Sequence, residues 1–183
     1  MKDKDNRMKT LIIYSSTDGQ THKIAEAIAT AIQTNMQSAV VALLPLAQAE
    51  SQDLAQYDKI MIGASIRYGH FNKALEPYIN RHADLLNSKM TAFYAVNLTA
   101  RKADKNTPQT NVYTRKFLQR IQWRPTQSAV FAGALRYPRY GFFDRFMIRL
   151  IMKITDGETN TTKEIEYTDW QKVAAFAQAF VES

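Results

Sequence analysis

The feature that most constrains the fold is the regular alternation of short apolar runs with segments of helical periodicity. The run "KTLIIYS" at 9–15 is short, apolar and β-branched, and it predicts a buried strand. Over residues 21–35, apolar side chains recur at helical spacing. The pattern continues with predicted strands at 38–46, 58–66, 90–98 and 128–137, and predicted helices at 72–86, 109–121 and 168–181. This alternation predicts an α/β fold, a doubly wound parallel sheet of five strands covered on both faces.

Two of the predicted helices carry boundary signals. Pro77 lies within 72–86, so we expect a kink or a later helix start, because proline lacks a backbone donor. Thr168 is the predicted N-cap of the last helix, since its hydroxyl can accept a hydrogen bond from a first-turn amide. No internal repeat or low-complexity linker separates the elements, which favours a single domain.

Composition excludes several classes of protein. The chain has 183 residues and no cysteine, which rules out disulfides, thiolate metal sites and cysteine nucleophiles. The charged start "MKDKDNR" leads into no apolar core segment, so we expect no signal peptide. Residues 27–49 carry no charge, but polar residues and Pro45 interrupt them, so we expect no membrane span. We expect no metal site, and we see no nucleophile or acid–base constellation.

The net charge of +7 is unevenly distributed along the chain. Residues 101–153 contain twelve Lys or Arg and only two acids, Asp104 and Asp144, so this segment carries +10. The rest of the chain has twelve bases and fifteen acids and carries −3. A basic third on a mildly acidic body indicates an anionic partner, which could be nucleic acid, lipid head groups or a polycarboxylate.

Three polar loops follow predicted strands, and in a parallel sheet such loops meet at one edge, where ligands bind. The first, "SSTDGQT" at 15–21, offers hydroxyl and amide donors, with Gly19 to turn the backbone and a helix N-terminus behind it. It suits a phosphate, although a plain turn has a similar composition and Asp18 would have to point away. The loop lacks the lysine of the nucleotide triphosphate loop.

The second and third loops indicate that the bound ligand also contains a flat ring. In "GASIRYGH" at 63–70, Arg67 could pair with an anion and Tyr68 could cover a ring face, although the segment also fits a surface turn. The loop at 97–110 is too long and polar for a simple crossover. Together the three loops could enclose a single phosphate joined to a flat ring system.

Residues 138–164 form an unusual insertion after the fifth predicted strand. Eight of the twelve residues from Phe143 to Ile154 are large and apolar. On a helix, its basic residues form one cationic stripe, and an apolar face comprises Phe146, Met147, Leu150, Ile151 and Ile154. Such a helix either packs on the domain with a solvated basic edge or lies in a membrane interface.

The strings "VNLTARKADKNTPQTN", "ALRYPRYGFFDRFMIRLIMK" and "YTDW", together with "SSTDGQT", carry a family resemblance. The chain resembles the flavodoxin-like family, and within it the FMN-dependent protoporphyrinogen oxidases, or quinone-dependent dehydrogenases, of proteobacterial haem synthesis. The resemblance runs from Met8 to the C-terminus and leaves residues 1–7 as an N-terminal extension. It implies strand order 2-1-3-4-5, one flavodoxin-like domain at 8–183, and a last strand split by the basic amphipathic insertion at 138–164.

The resemblance also implies a set of site residues. It implies that FMN phosphate is held by Ser16, Thr17, Asp18, Gly19, Gln20 and Thr21. It implies that the flavin ring lies against Ser65, Ile66, Arg67, Tyr68, Gly69, Asn97, Leu98, Thr99 and Arg101. Residues 97–105 contain no aromatic, so we expect Tyr68 on one ring face and an open second face. The expected substrate or membrane contacts are Arg136, Arg139, Tyr140, Phe143, Arg145, Arg149 and Lys153.

The activity that the resemblance implies is oxidation of protoporphyrinogen IX to protoporphyrin IX through FMN, with electrons passed to menaquinone or ubiquinone. We therefore expect a peripheral protein on an anionic membrane surface, at the cytoplasmic face of the bacterial inner membrane, with no nucleic-acid partner. The alternatives are an NAD(P)H:quinone reductase, an electron carrier, a nucleic-acid module built on residues 101–153, and a membrane adaptor without flavin. The basic segment argues against an electron carrier, since such carriers are typically acidic.

Overall fold

A computed structural model describes residues 7–183, so all but the last residue of the predicted extension at 1–7 lies outside the described residues. The strands are β1 (Lys9–Ser15), β2 (Val40–Pro45), β3 (Lys59–Ser65), β4 (Met90–Asn97), β5 (Gln127–Ala132), β6 (Ala134–Arg136) and β7 (Glu164–Glu166). The helices are α1 (Gln20–Asn35), α2 (Leu46–Ala49), α3 (Leu75–Arg81), α4 (Ala83–Asn87), α5 (Val112–Arg120), α6 (Phe142–Ile154) and α7 (Trp170–Glu182). Short 3₁₀ turns lie at Leu54–Gln56, Leu98–Arg101, Ala103–Lys105 and Tyr137–Arg139.

The first five strands form one parallel sheet in the order β2-β1-β3-β4-β5, which confirms the predicted order. Successive residues of β1 point to opposite faces of the sheet, as the two-residue period of a strand requires. Leu11 and Ile13 join one buried cluster, and Ile12 joins the other, on the side of α1 and α7. Both faces are thus covered, which explains why the strand is apolar throughout.

The predicted fifth strand at 128–137 is divided in the structure. β5 ends at Ala132, which pairs with Asn97, the last residue of β4. The Gly133 amide still donates to the Asn97 carbonyl at 3.1 Å, and the chain then leaves the sheet, so that β6 pairs antiparallel with β7 in a separate two-stranded ribbon. Beneath α6, a small third cluster contains Leu135, Tyr137, Tyr140, Ile148 and Met152.

The two predicted helix boundaries have different outcomes. α3 begins at Leu75, so Pro77 lies in its first turn, and the expected later start is confirmed. The N-cap of the last helix is Asp169, whose carboxylate accepts from the Lys172 amide at 3.1 Å, so the prediction of Thr168 is wrong. The Thr168 hydroxyl instead donates to the Ala132 carbonyl at 2.7 Å, which ties the end of β5 to the start of α7.

Candidate functional site

A cavity of about 410 Å³ lies at the carboxyl ends of the parallel strands, where the three predicted loops meet α6. Its lining includes the predicted residues Ser16, Asp18, Gln20, Thr21, Ser65, Ile66, Arg67, Tyr68, Gly69, Asn97, Leu98, Thr99 and Tyr140. It also includes Val96, Tyr113, Gly133, Ala134, Met147, Ile148 and Ile151, which were not predicted as site residues. The volume lies in the range of ordinary small-molecule sites.

The first loop presents the N-terminus of α1 to this cavity. Gly19 has a left-handed backbone (φ 85°), which glycine adopts without strain, and its amide donates to Ser16 Oγ at 3.0 Å. No side chain among residues 7–183 caps α1, and the first amides of a helix have no intrahelical acceptors. Thr21 is 1% exposed, and its Oγ1 has no partner within residues 7–183. Within the described residues, the Thr21 hydroxyl and the first amides of α1 are therefore donors without acceptors, at the positive end of a helix dipole.

Arg136, expected at the substrate or membrane surface, lies beside this loop instead. Its Nη2 donates to Gln20 Oε1 at 2.8 Å, and Gln20 Nε2 donates to Thr168 Oγ1 at 2.9 Å. The Nε of Arg136 is buried and has no partner in the described part of the chain. Arg136, which follows α1 by more than a hundred residues in the sequence, is thus held next to the first turn of that helix.

Arg67 lies between two carboxylates that come from different elements. Its Nη1 is 2.5 Å from Asp18 Oδ2, and its Nη2 is 2.8 Å from Asp144 Oδ2 on α6. The Tyr68 hydroxyl also donates to Asp144, and burial together with this hydrogen bond raises the pKa of Tyr68. Asp18 is therefore directed to Arg67, and Asp144 connects α6 to the second loop.

Three tyrosines line the cavity: Tyr68, Tyr113 and Tyr140. The Arg67 guanidinium lies 5.4 Å from the Tyr68 ring and 5.2 Å from the Tyr140 ring, and burial raises the pKa of Tyr140. Tyr113 lies against Gly69, where a Cβ would approach its ring to 3.1 Å. Residues 97–105 lack an aromatic, so Tyr113 was not predicted as a site residue. It lies in the first turn of α5, directly after the third loop.

Asn97 organises the third loop at the end of β4. Its Oδ1 accepts from the Ala100 amide at 3.0 Å and from the Thr99 hydroxyl at 2.6 Å. Asn111 Nδ2 approaches the same oxygen at 3.3 Å. The Nδ2 of Asn97 is buried and has no partner within the described residues. The loop is thus fixed internally and retains one free amide donor at the cavity.

Helix α6 closes one side of the cavity with Met147, Ile148 and Ile151. Ile148 and Met152 are buried, but the residues on the opposite side are not. The exposed fractions there run from 43% to 91% at Phe142, Phe143, Phe146, Leu150 and Ile154. The predicted single apolar face is therefore two faces, because Met147 and Ile151 turn toward the cavity and the others turn away from the protein.

The remaining predicted site residues do not line the cavity. Arg101 donates to the carbonyls of Thr155 and Leu98 at 2.7 and 2.9 Å, so its guanidinium holds the C-terminal end of α6. Arg139 pairs with Glu164 at 2.7 Å. Thr17 approaches Ser65, and Gly19 forms the turn before α1. Arg145 donates to the Tyr140 carbonyl, and Phe143 is exposed. Arg149 and Lys153 line a groove on the outer side of α6.

With this geometry established, comparison with known proteins identifies the class. Residues 11–162 match the model of the flavodoxin domain, and the chain belongs to that family. Its similarity to solved flavodoxins supports the same fold, with a TM-score of 0.56 at 14% identity to one from Archaea, covering 96% of this chain and 97% of that one. Flavodoxin 2 from Bacillus cereus gives 0.52 at 21% identity, covering 95% and 98%. Family membership implies a flavin cofactor.

The curated relatives are more specific. Protoporphyrinogen IX dehydrogenase (quinone) of Escherichia coli strain K12 is 54% identical over 171 residues, which cover 93% of this chain and 93% of the relative. The protein of the same name from Leishmania major is 52% identical over 94% of this chain and 74% of its own length. At such coverage, the matches include the cavity loops and α6.

Proposed function

We propose that this chain is an FMN-dependent enzyme of haem biosynthesis that oxidises protoporphyrinogen IX to protoporphyrin IX and passes the electrons to a membrane quinone. The observation that carries the proposal is the match, at 54% identity over 93% of the chain, to relatives named protoporphyrinogen IX dehydrogenase (quinone). The cavity supplies independent support, because it combines a polar cradle with an apolar wall and aromatic side chains.

The residues at the α1 N-terminus fit the phosphate of FMN. The cradle consists of Ser16, Thr17, Asp18, Gly19, Gln20 and Thr21. Its free amides, together with the unpartnered Thr21 hydroxyl, are the groups that a phosphate would accept from. Arg67 pairs with Asp18, and Arg136, which Gln20 holds beside the cradle, adds a further positive charge for the phosphate.

The second and third loops fit the flavin ring. In this proposal, residues 65–69 and 97–99 flank the ring, and Tyr68 and Tyr113 supply aromatic surface in the cavity. The buried Asn97 Nδ2 would donate to a ring acceptor. Arg101 we assign to holding α6 rather than to the flavin, because its donors are used by Thr155 and Leu98.

A bound flavin supplies two-electron redox chemistry, so removing six hydrogens from the porphyrinogen requires three cycles and reduces three quinones to quinols. The chain's own part is to shape the site and exclude water from it. Met147, Ile148 and Ile151 give the cavity an apolar wall suited to a macrocycle. Arg67, which pairs with both Asp18 and Asp144, holds the second loop and α6 together at this wall.

We further infer that residues 8–183 act as one domain, located peripherally at the cytoplasmic face of the bacterial inner membrane. Within residues 7–183, none of the helices is long and apolar enough to cross a bilayer. The exposed apolar side of α6 would instead lie in an anionic membrane interface, where quinone is available.

One anaerobic experiment tests the proposed activity. The FMN-loaded protein is mixed with protoporphyrinogen IX and then with a quinone, while flavin absorbance and porphyrin fluorescence are followed together. We expect the flavin to bleach on adding porphyrinogen and to recover with quinone as porphyrin fluorescence accumulates. A flavin that stays oxidised with porphyrinogen but bleaches with NADPH would instead indicate an NAD(P)H:quinone reductase.

A further inference from the structure

A groove on the outer side of α6 is separate from the flavin cavity. Its lining is formed by Phe146, Arg149, Leu150, Lys153 and Thr159. The cavity lies on the other side of the same helix, where Ile148 and Ile151 form its wall. A molecule in the groove would therefore contact the surface of the protein but could not reach the cavity through α6.

Arg149 and Lys153 differ from the other cations of this region. Arg136, Arg139, Arg145 and Lys163 each have a hydrogen-bond or carboxylate partner. In contrast, no hydrogen bond or ion pair involves Arg149 or Lys153 within residues 7–183. Because they lie four residues apart on a helix, both charges face the same groove. The groove thus holds two uncompensated positive charges.

Apolar side chains surround these two charges. Phe142, Phe143, Phe146, Leu150 and Ile154 form an exposed ridge along the 13 residues of α6. At 1.5 Å per residue the ridge is about 20 Å long. An exposed ridge of this kind indicates an interaction surface, and cations beside it select a partner that is both apolar and anionic.

We propose that this groove binds the headgroup phosphate of an anionic phospholipid, with the acyl chains against the ridge. This inference rests on the proposed membrane location and names the lipid class and the contacts. The Arg149 guanidinium would bind phosphate oxygens as a fork, Lys153 would act as a point charge, and the Thr159 hydroxyl would complete the site. A second copy of the chain is a poorer occupant, because a two-fold interface here would bring like charges together.

Vesicle binding tests this proposal without requiring turnover. The full-length FMN-loaded protein is sedimented with vesicles of phosphatidylcholine alone, or with vesicles containing one third phosphatidylglycerol. The test variant is Arg149→Gln/Lys153→Gln. The matched control is Lys73→Gln/Lys116→Gln, which loses the same charge at exposed positions outside the groove.

We expect binding to the phosphatidylglycerol vesicles to weaken about fivefold for each groove cation and about thirtyfold for the pair. The control pair should lose much less, because its charges are not held at the ridge. Phe146→Ala should weaken binding to both vesicle types, since it removes ridge surface and no charge.

Four results would overturn the proposal. An equal loss of vesicle binding in the control variant Lys73→Gln/Lys116→Gln would indicate a general effect of net charge and no specific site in the groove. Self-association that the groove variants abolish would assign the face to a second copy. If the Arg149→Gln/Lys153→Gln variant bound protoporphyrin IX more weakly in the absence of vesicles, the two groove cations would be assigned to the porphyrin carboxylates. Displacement of the protein from vesicles by millimolar inorganic phosphate would indicate a site for free phosphate. Because sedimentation does not depend on chemistry, a failed porphyrinogen assay would leave these results interpretable on their own.

Discussion

Helices α1 and α6 are both amphipathic and both border the cavity at the carboxyl edge of the sheet, but they use their apolar residues differently. Ile24, Ile28 and Ile32 of α1 are fully buried. α6 buries only Ile148 and Met152, and five large apolar residues on its outer side remain exposed. The comparison shows that an amphipathic pattern reports how much apolar surface a helix has, and not which partner covers it.

The cause of this difference is the surroundings of each helix. α1 packs against β1, β2, β3 and α7, so its apolar stripe completes the main core. α6 packs on the small cluster around Leu135, Tyr137 and Tyr140. That cluster is too narrow to cover more than one side of a helix. The remaining apolar surface of α6 is therefore available to a partner.

The largest expected effect tests the buried side of this comparison. Ile28→Ala should lower the free energy of unfolding by about 2–5 kcal/mol, because it leaves a cavity between α1 and the sheet. Urea unfolding of the flavin-free protein measures it. A loss below about 1 kcal/mol would mean that α1 is less tightly packed than the structure shows.

Thr21→Val tests the polar end of α1. Replacing the unpartnered hydroxyl should raise the Kd for FMN about tenfold or more, since a hydrogen bond to a charged group is lost. The stability of the flavin-free protein should stay equal or rise, because an unpaired buried polar atom is removed. Flavin fluorescence titration measures the affinity. The control is Thr34→Val, on the exposed C-terminal turn of α1. If both variants bound FMN equally well, the Thr21 hydroxyl would not be a phosphate donor.

Asp144→Asn tests the connection between α6 and the second loop. The change removes the ion pair with Arg67 and weakens the hydrogen bond from Tyr68. The free energy of local opening of α6 should therefore fall by about 1 kcal/mol. Hydrogen exchange of the α6 amides should become about fivefold faster. Asp156→Asn is the control, because Asp156 is 92% exposed and its partner Lys102 is 3.8 Å away. Equal exchange in both variants would show that Asp144 does not hold α6.

The smallest expected effect on stability is at the outer side of α6. Leu150→Gln should change the free energy of unfolding by less than about 0.5 kcal/mol, because the Leu150 side chain is 43% exposed and lies outside the buried clusters. The same variant should bind vesicles less well. A destabilisation similar to that of Ile28→Ala would mean that the ridge packs within the protein.

Much of this protein could be predicted from local sequence patterns. Strand β1 has the predicted bounds, 9–15, because a short apolar run flanked by polar residues has few other ways to bury itself. The positions of the three loops follow from the strands being parallel, since carboxyl ends of parallel strands share one edge. The sequence by itself therefore determined the fold class, the edge that carries the site, and most of the residues at that edge.

Only the tertiary structure decided how the site residues are paired. Asp18 meets Arg67 across 49 residues, Tyr68 meets Asp144 across 76, and Gln20 meets Arg136 across 116. The pattern of α6 likewise did not show that Met147 and Ile151 face the cavity while Leu150 faces outward. The physical reason is that periodicity is a local property of the chain, whereas burial and charge pairing depend on which distant elements the fold brings into contact.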